Sequence, residues 1–517
     1  MRRLLKHAWL GLLLAAGSAE SAPPVDRALA VKSFREQHAT AILTELADFL
    51  ALPNLATDAP AIRKNAEHLK AMLERRGLAA ELLESPGSPP AVFASRTVAG
   101  ARRTVVFYAH YDGQPTDATQ WVSPPFTPTF LSGPREAGGQ PLPWPGTPAP
   151  LPPEARLYAR SASDDKAPIV ALLAALDALE AAGVPPSVNL KFFFEGEEEA
   201  GSPHLGEMLR AHAARLAADA WLFLDGPAHP SRRLQVVFGA RGVMGLELTL
   251  YGPTRALHSG HYGNWAPNPA VALAELVAGL RSSDGEIKVA GFYDSLRPLT
   301  PADRAALAAL PDPDAELRAE LGLAASEAGN ARLAERILLP ALNVRGLEAG
   351  RVGAAAANAI PTVARASIDF RLVPDQTPEE VRRLVEQHFV GLGWHLLHEE
   401  PDLATRLAHP KLLRLDWEGG YRAVRTPLDL PLSRAVLAVA SHAAGEKVLA
   451  VPMLGGSLPL YHFEDVLHAP LVIVPIVNHD NNQHAANENL RLANLWQGID
   501  LFAALLAELG GAWEGSP

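Results

Sequence analysis

Four short, almost wholly apolar runs constrain the fold of this chain more than any other feature: residues 104–109 (TVVFYA), 188–194 (VNLKFFF), 220–224 (AWLFL) and 471–477 (LVIVPIV). A strand with one wet face alternates apolar and polar residues. These runs do not, so each is expected to be buried on both faces. Helical periodicity lies between or after them, at 61–76, 167–182 and 490–509, and Pro or Gly punctuates most of the ends. Strands covered on both sides that alternate with helices predict an α/β fold, a mixed and mostly parallel sheet with helices on both faces.

A different pattern runs from 241 to 394. Residues 243–251 (VMGLELTLY) alternate like a half-buried strand, 269–281 is helical, 342–347 and 362–372 are strand-like, and 378–390 is helical again. Two such strand and helix sets predict an inserted, ferredoxin-like split β-α-β domain with one open sheet face or edge. Residues 300–338, rich in Ala, Leu and Glu, are expected as an extra helical element within it. The segment 131–156 holds eight Pro and four Gly in 26 residues and is expected to be a loop. A length of 517 residues exceeds what one core usually supports. The expected organisation is therefore a leader at 1–22, a larger domain in two parts at 23–240 and 395–517, and the insert at 241–394.

The leader is read from Arg2, Arg3 and Lys6, an apolar run at 8–16, and small residues at 17–22, with cleavage after Ala19, Ser21 or Ala22. This predicts export, to a bacterial periplasm or the medium. The apolar run falls short of the roughly 20 residues a bilayer span needs, so no stable membrane insertion of the mature chain is expected. Cysteine is absent, so any metal site must use nitrogen and oxygen ligands. The net charge of -11 is spread along the chain without a Lys/Arg block, which argues against nucleic acid as a partner.

Histidines and acids fall just after the apolar runs, where sites gather in open α/β sheets. His110 and Asp112 (AHYD) lie two residues apart, so in extended chain both project to one side. A metal can take His110 while Asp112 steadies the imidazole, although for the pair alone a satisfied surface turn is the ordinary explanation. Asp164 and Asp165 (SASDDKAP) precede a helix, where an N-cap is the ordinary explanation. Glu195, Glu197, Glu198 and Glu199 come straight off a buried strand, and such a like-charge cluster is costly unless cations neutralise it. Asp225 (FLDGP) ends another run, and His484 (NNQHAANE) precedes the last helix. Two divalent ions would be balanced by Asp164, Glu199, Asp225 and a hydroxide, with neutral His110 and His484 completing a nearly neutral, buriable site. Adjacent residues in a turn point in different directions, so Glu199 can bind metal while Glu198 faces the attacking water.

Taken together, AHYDGQP (109–115), SDDKAP (163–168), EGEEEAGS (195–202), LDGP (224–227), GGSLP (455–459) and NNQHAANE (481–488) resemble the dinuclear zinc exopeptidase and deacylase family. That family includes carnosinases, glutamate carboxypeptidases, acetylornithine deacetylases and succinyl-diaminopimelate desuccinylases, and the pattern here is that of its dipeptidases. The resemblance implies a zinc-exopeptidase-like fold with an inserted dimerisation or lid domain. It implies two divalent ions, zinc first with manganese or cobalt as alternatives: His110 and Asp225 on one, Glu199 and His484 on the other, Asp164 bridging. Glu198 would be the general base and Asp112 its supporting carboxylate. His258 (LHSGHYG) would reach a partner subunit's site to stabilise the oxyanion. Asn268, Arg371 (DFRLVPD) and Ser457 would lie on the substrate side, the arginine pairing with a substrate carboxylate.

The implied activity is hydrolysis of a dipeptide or short peptide with a free C-terminal carboxylate, by a homodimer. Two alternatives stand beside it: an N-acyl amino acid deacylase, and an inactive periplasmic binding protein, which would be expected to have lost a ligand. Ser161 and Ala167 stand where the family often has Gly, Ala200 where Ser is common, and Met453-Leu454 where a polar residue is frequent; none is a proposed ligand.

Overall fold

The computed structural model of the chain describes residues 26–144 and 150–514. The expected leader at 1–22 and the centre of the Pro/Gly-rich loop lie outside the described residues. The larger domain is built on an eight-stranded sheet in the order Ala79–Leu83, Ala91–Arg96, Asn189–Glu195, Thr104–His110, Ala220–Phe223, Leu471–Ile473, Gln235–Val237, Leu449–Val451. The sheet is mixed. Thr104–His110 runs parallel to both its neighbours, and the Ala79–Leu83 and Ala91–Arg96 strands close one edge antiparallel.

The missing alternation now has its cause. Val105, Phe107 and Ala109 enter the core under helices Lys166–Ala181 and Leu492–Glu514, while Val106 and Tyr108 enter a second core with Trp221, Phe223 and Phe463 on the opposite face. Each fully buried large apolar side chain contributes roughly 1.5–3 kcal/mol of burial. Leu492–Glu514 is long and apolar enough to cross a membrane, but most of it is buried in the larger core. Of the run at 471–477 only Leu471–Ile473 pairs as a strand, because Pro475 has no N–H to give to a ladder.

The second sheet has the order Ala341–Glu348, Val363–Leu372, Gly239–Tyr251, Leu412–Tyr421, with the short His395–Leu397 added parallel at one edge. Helices Pro269–Leu280 and Pro378–Gly391 cover one face, packing Leu273, Leu276, Val381, Val385 and Phe389 on Met244, Leu246, Leu248, Leu250 and Phe370. The expected end of the insert at 394 is corrected here. The fourth strand of the split β-α-β unit is Leu412–Tyr421, and its register shift at Trp417/Gly420 obscures the alternation that would have announced it. The element at 300–338 is also placed differently from expectation. It leaves the second sheet, and Leu307, Leu310 and Leu338 pack with Leu449 and Met453 of the larger domain.

Both crossings between the domains lie side by side, Val424 and Arg425 pairing with Ala240 and Gly239. They touch backbone to backbone. A Cβ at Gly239 would stand 2.1 Å from the Val424 carbonyl oxygen, and one at Gly242 would stand 2.3 Å from that of Tyr421. The Pro/Gly-rich segment hangs between Thr129–Leu131 and Arg156–Tyr158, which pair with each other. Arg156–Tyr158 pairs in turn with Asn489–Arg491, so the loop carrying His484 is drawn beside the loop carrying Asp164.

Candidate metal centre

His110 closes the strand Thr104–His110 with its ring fully buried. Its Nδ1 lies 3.3 Å from Asp112 Oδ1, and its Nε2 lies 2.8 Å from Asp164 Oδ1. Asp112, two residues on, is also buried and does a second job. Its two oxygens accept the backbone N–H groups of Glu198 (3.1 Å) and Glu199 (3.0 Å), which fixes the turn after the neighbouring strand. Asp164 sits just before helix Lys166–Ala181, and its second oxygen faces His484 Nε2 at 3.1 Å. His484 Nε2 is likewise 3.1 Å from Glu199 Oε2.

Two groups of potential ligand atoms result, each within 4.8 Å: His110, Asp164 and Asp225 in one, Asp164, Glu199 and His484 in the other. Asp164 belongs to both. Glu198 Oε2 stands 3.9 Å from His110 Nε2, beside the cluster without belonging to either group. The remaining acids of the run turn away: Glu197 accepts from His204 N at 2.9 Å, and Glu195 accepts from the Tyr108 hydroxyl at 2.7 Å in the second core.

The electrostatics ask for cations. Burial and then the negative charge of Asp164 push the Asp225 carboxyl up to about 7. Burial also drives Glu198 well above the carboxylate range, helped by Asp225, Asp164 and Glu199. Burial would raise Asp164 too, but its hydrogen bonds with His110 and His484 outweigh that and hold it low. Hydrogen bonds to Asp164 and Glu199 push His484 up to about 10. Four acids at one spot, with only oxygen and imidazole nitrogen as donors, fit divalent ions of the zinc or manganese type. Such ions would replace mutual repulsion by attraction.

Arg371, on the Val363–Leu372 strand of the insert, meets Ser457 of the larger domain: Nη1 donates to Ser457 Oγ at 2.9 Å while Nε donates to Asp369 at 3.1 Å. The structure does not bring His258 or Asn268 to the cluster within one chain. His258 is exposed and its Nδ1 accepts from Gly260 N at 3.1 Å; Asn268 Oδ1 accepts from Ala270 N at 2.9 Å as the N-cap of Pro269–Leu280.

Asp165, expected only as an acid ahead of the helix, accepts from His110 N at 3.3 Å through Oδ2. Two contributors escaped the sequence: Gln114 Nε2 donates to Glu199 Oε2 at 2.8 Å, and buried Glu488 holds the loop before Asp164. Both lie within the motifs quoted above, yet nothing in their type separated them from surface residues. Ser161, where a Gly was anticipated, takes a left-handed φ of 61°. Its hydrogen bonds to Glu488 Oε2 and Asn54 offset the cost of a Cβ in that conformation.

Comparison with known proteins shows what the chain is similar to. Cys-Gly metallodipeptidase dug1 of Schizosaccharomyces pombe is 26% identical over 483 residues, covering 92% of this chain and 94% of its own. Beta-Ala-His dipeptidase of Homo sapiens is 25% identical over 441 residues, covering 81% and 78%. Among solved structures, the M20 family metallo-carboxypeptidase Sso-CP2 from Sulfolobus solfataricus superposes with a TM-score of 0.72 at 28% identity, covering 91% of this chain and 99% of that one. The family description Peptidase family M20/M25/M40 matches residues 106–508, from the strand that ends in His110 to the last helix, and the chain belongs to that family of metal-dependent peptidases.

Proposed function

We propose that this chain is a dipeptidase that cleaves the amide bond of dipeptides or short peptides bearing a free C-terminal carboxylate. It would hold two divalent ions, zinc in the first place, on His110, Asp164 and Asp225 and on Asp164, Glu199 and His484. One observation carries the reading: the two ligand groups share Asp164, and Glu198 stands beside them as an acid outside both. The names of the two relatives, a Cys-Gly metallodipeptidase and a Beta-Ala-His dipeptidase, support the substrate class. When bound, the ions supply Lewis acidity toward water and the scissile carbonyl. Glu198, kept protonatable by burial, takes the proton of the attacking water and returns it to the leaving amine. Asp112 holds Glu198 and Glu199 in register through their backbone N–H groups. Arg371, 35% exposed beyond its bonds to Ser457 and Asp369, receives the substrate carboxylate. The test is a panel of dipeptides and N-acetyl or N-succinyl amino acids, assayed after chelation and after adding back zinc, manganese or cobalt. Dipeptide turnover restored by metal is expected. Turnover indifferent to chelation, or confined to the acylated amino acids, overturns the reading.

The chain would work as an exported homodimer in which His258 of each subunit stabilises the oxyanion in the other. The support is the open edge strand Ala341–Glu348, the exposure of Trp265 and Val352, and the exposed His258 with no bond to its own chain's cluster. A sedimentation run that finds a fully active monomer removes the trans role.

A further inference from the structure

Glu488 lies four residues after His484, at the start of the pairing with Arg156–Tyr158, and none of its surface reaches solvent. Its carboxylate accepts five hydrogen bonds. Oε1 takes Ser163 N (2.9 Å), Ser163 Oγ (2.8 Å) and Asp164 N (2.9 Å); Oε2 takes Arg160 Nη1 (2.7 Å) and Ser161 N (2.9 Å). A carboxylate offers about four lone-pair sites, so this one is saturated. Arg160, itself buried, balances its charge and stacks over Trp121 at 5.2 Å. All five donors belong to residues 160–164, the segment that delivers Asp164.

The consequence is geometric. Asp164 reaches His110 on one side and His484 on the other, at 2.8 Å and 3.1 Å, and it is the one residue common to both ligand groups. Its backbone N–H is fixed by an acid from the loop that also bears His484. Displacing the 160–164 segment by a few tenths of an ångström would therefore move a ligand of both ions at once, against a tolerance of about 0.2 Å for metal ligation. Gln114 is different, since its side chain touches Glu199 alone among the ligands.

We propose that Glu488 is the positioning residue for the Asp164 carboxylate, and through it for both ion sites together. The inference rests on the two-ion reading above. Glu488 touches neither ligand side chain nor substrate, so it acts through the backbone it holds.

The experiment is calorimetric titration of metal-free wild type, Glu488→Gln, Glu488→Asp and Gln114→Ala with zinc or manganese, with the melting temperature of each metal-free protein measured alongside. Gln cannot accept on both of its ends, and Asp is a methylene too short to span both donor sets. Both variants should lose affinity for the two ions in parallel, by roughly 10- to 100-fold. Gln114→Ala should weaken one ion only. Should Glu488→Gln fail to fold, Ser163→Ala, which removes a single one of the five hydrogen bonds, should weaken both ions by a common smaller factor. Folded Glu488→Gln with wild-type affinity for both ions, or with only one ion weakened, overturns the proposal, as does Ser163→Ala that lowers the melting temperature and leaves both affinities intact. A wild type that takes up no pair of ions instead overturns the two-ion reading.

Discussion

Loading the centre with metal should release protons, and the structure sets how many. In the metal-free protein, hydrogen bonds to Asp164 and Glu199 push His484 up to about 10. Burial works against a charged His110 ring, yet its hydrogen bonds to Asp112 and Asp164 prevail and hold it well above the ordinary histidine value. His484 is therefore imidazolium at pH 7 and His110 is biased the same way, and ligation requires both rings neutral, so about one to two protons must leave them. Asp225, pushed up to about 7, adds part of another, and Glu198, driven well above the carboxylate range, holds a further proton that a nearby pair of cations would draw off. The sign follows directly. Groups whose pKa lies above the working pH hold protons that compete with the metal, so affinity rises with pH, and competition from His484 ends only near pH 10. With at least about two protons displaced in all, the overall constant for filling both sites should rise at least about 100-fold per pH unit between pH 6 and 8. Titrating zinc into chelator-treated protein at pH 7, in buffers of different ionisation enthalpy, counts the protons from the slope of observed heat against buffer heat. A slope below one proton for both ions would refute the assignment of the two histidines as protonated ligands-in-waiting.

Other outcomes follow from the same geometry. Glu198→Gln should lower kcat by roughly 10²- to 10⁴-fold while calorimetry still counts two ions, because Glu198 stands beside the ligand groups and belongs to neither. Arg371→Met should raise KM for dipeptides with a free carboxylate and leave their C-terminal amides, already poor substrates, unchanged; steady-state kinetics on both sets checks this. Lys166 is wholly buried, donating to Phe49 O, Leu52 O and Asn65 Oδ1, so Lys166→Met should remove the donor to Leu52 O and Asn65 Oδ1 while Phe49 O keeps a backbone partner. The variant should lose about 1–3 kcal/mol, measured as a fall of several degrees in the melting temperature.

What could be seen from the sequence divides along physical lines. The apolar runs at 104–109, 188–194 and 220–224 appear as strands within a residue or two of expectation, because burial on both faces leaves no alternative pattern. The cluster at their ends was visible for a related reason: an acidic run from Glu195 to Glu199 directly after Phe194 makes no sense as core and little as surface. Glu488 and Gln114 were not visible. Their worth lies in which backbone or side chain they meet, 324 residues away for Glu488 and 85 for Gln114, and a single acid or amide near a motif carries no such information. The fourth strand at 412–421 was lost to its Gly419-Gly420 irregularity, and the 300–338 helices, expected within the insert, pack on Leu449 and Met453 of the larger domain. Ala/Leu/Glu periodicity specifies a helix but says nothing of the surface it packs on.

The split of roles between the two sheets explains why an insert belongs in such a molecule. The ligand groups all hang on the larger sheet and its loops, whereas Arg371 projects from the smaller one, in register with Val243 and, across it, Tyr421. On the proposed reading the scissile carbonyl must sit at the ions and the carboxylate at Arg371, so the offset between the sheets sets how much chain can lie on the C-terminal side of the scissile bond. That offset is governed by two crossings hydrogen-bonded to each other and packed too closely to admit a Cβ at Gly239 or Gly242. Ser457, from the larger domain, ties the arginine down on the far side of the same junction. A substrate with one more residue beyond the scissile bond would have to displace that tie or move the crossings to keep both its carbonyl at the ions and its carboxylate at the arginine.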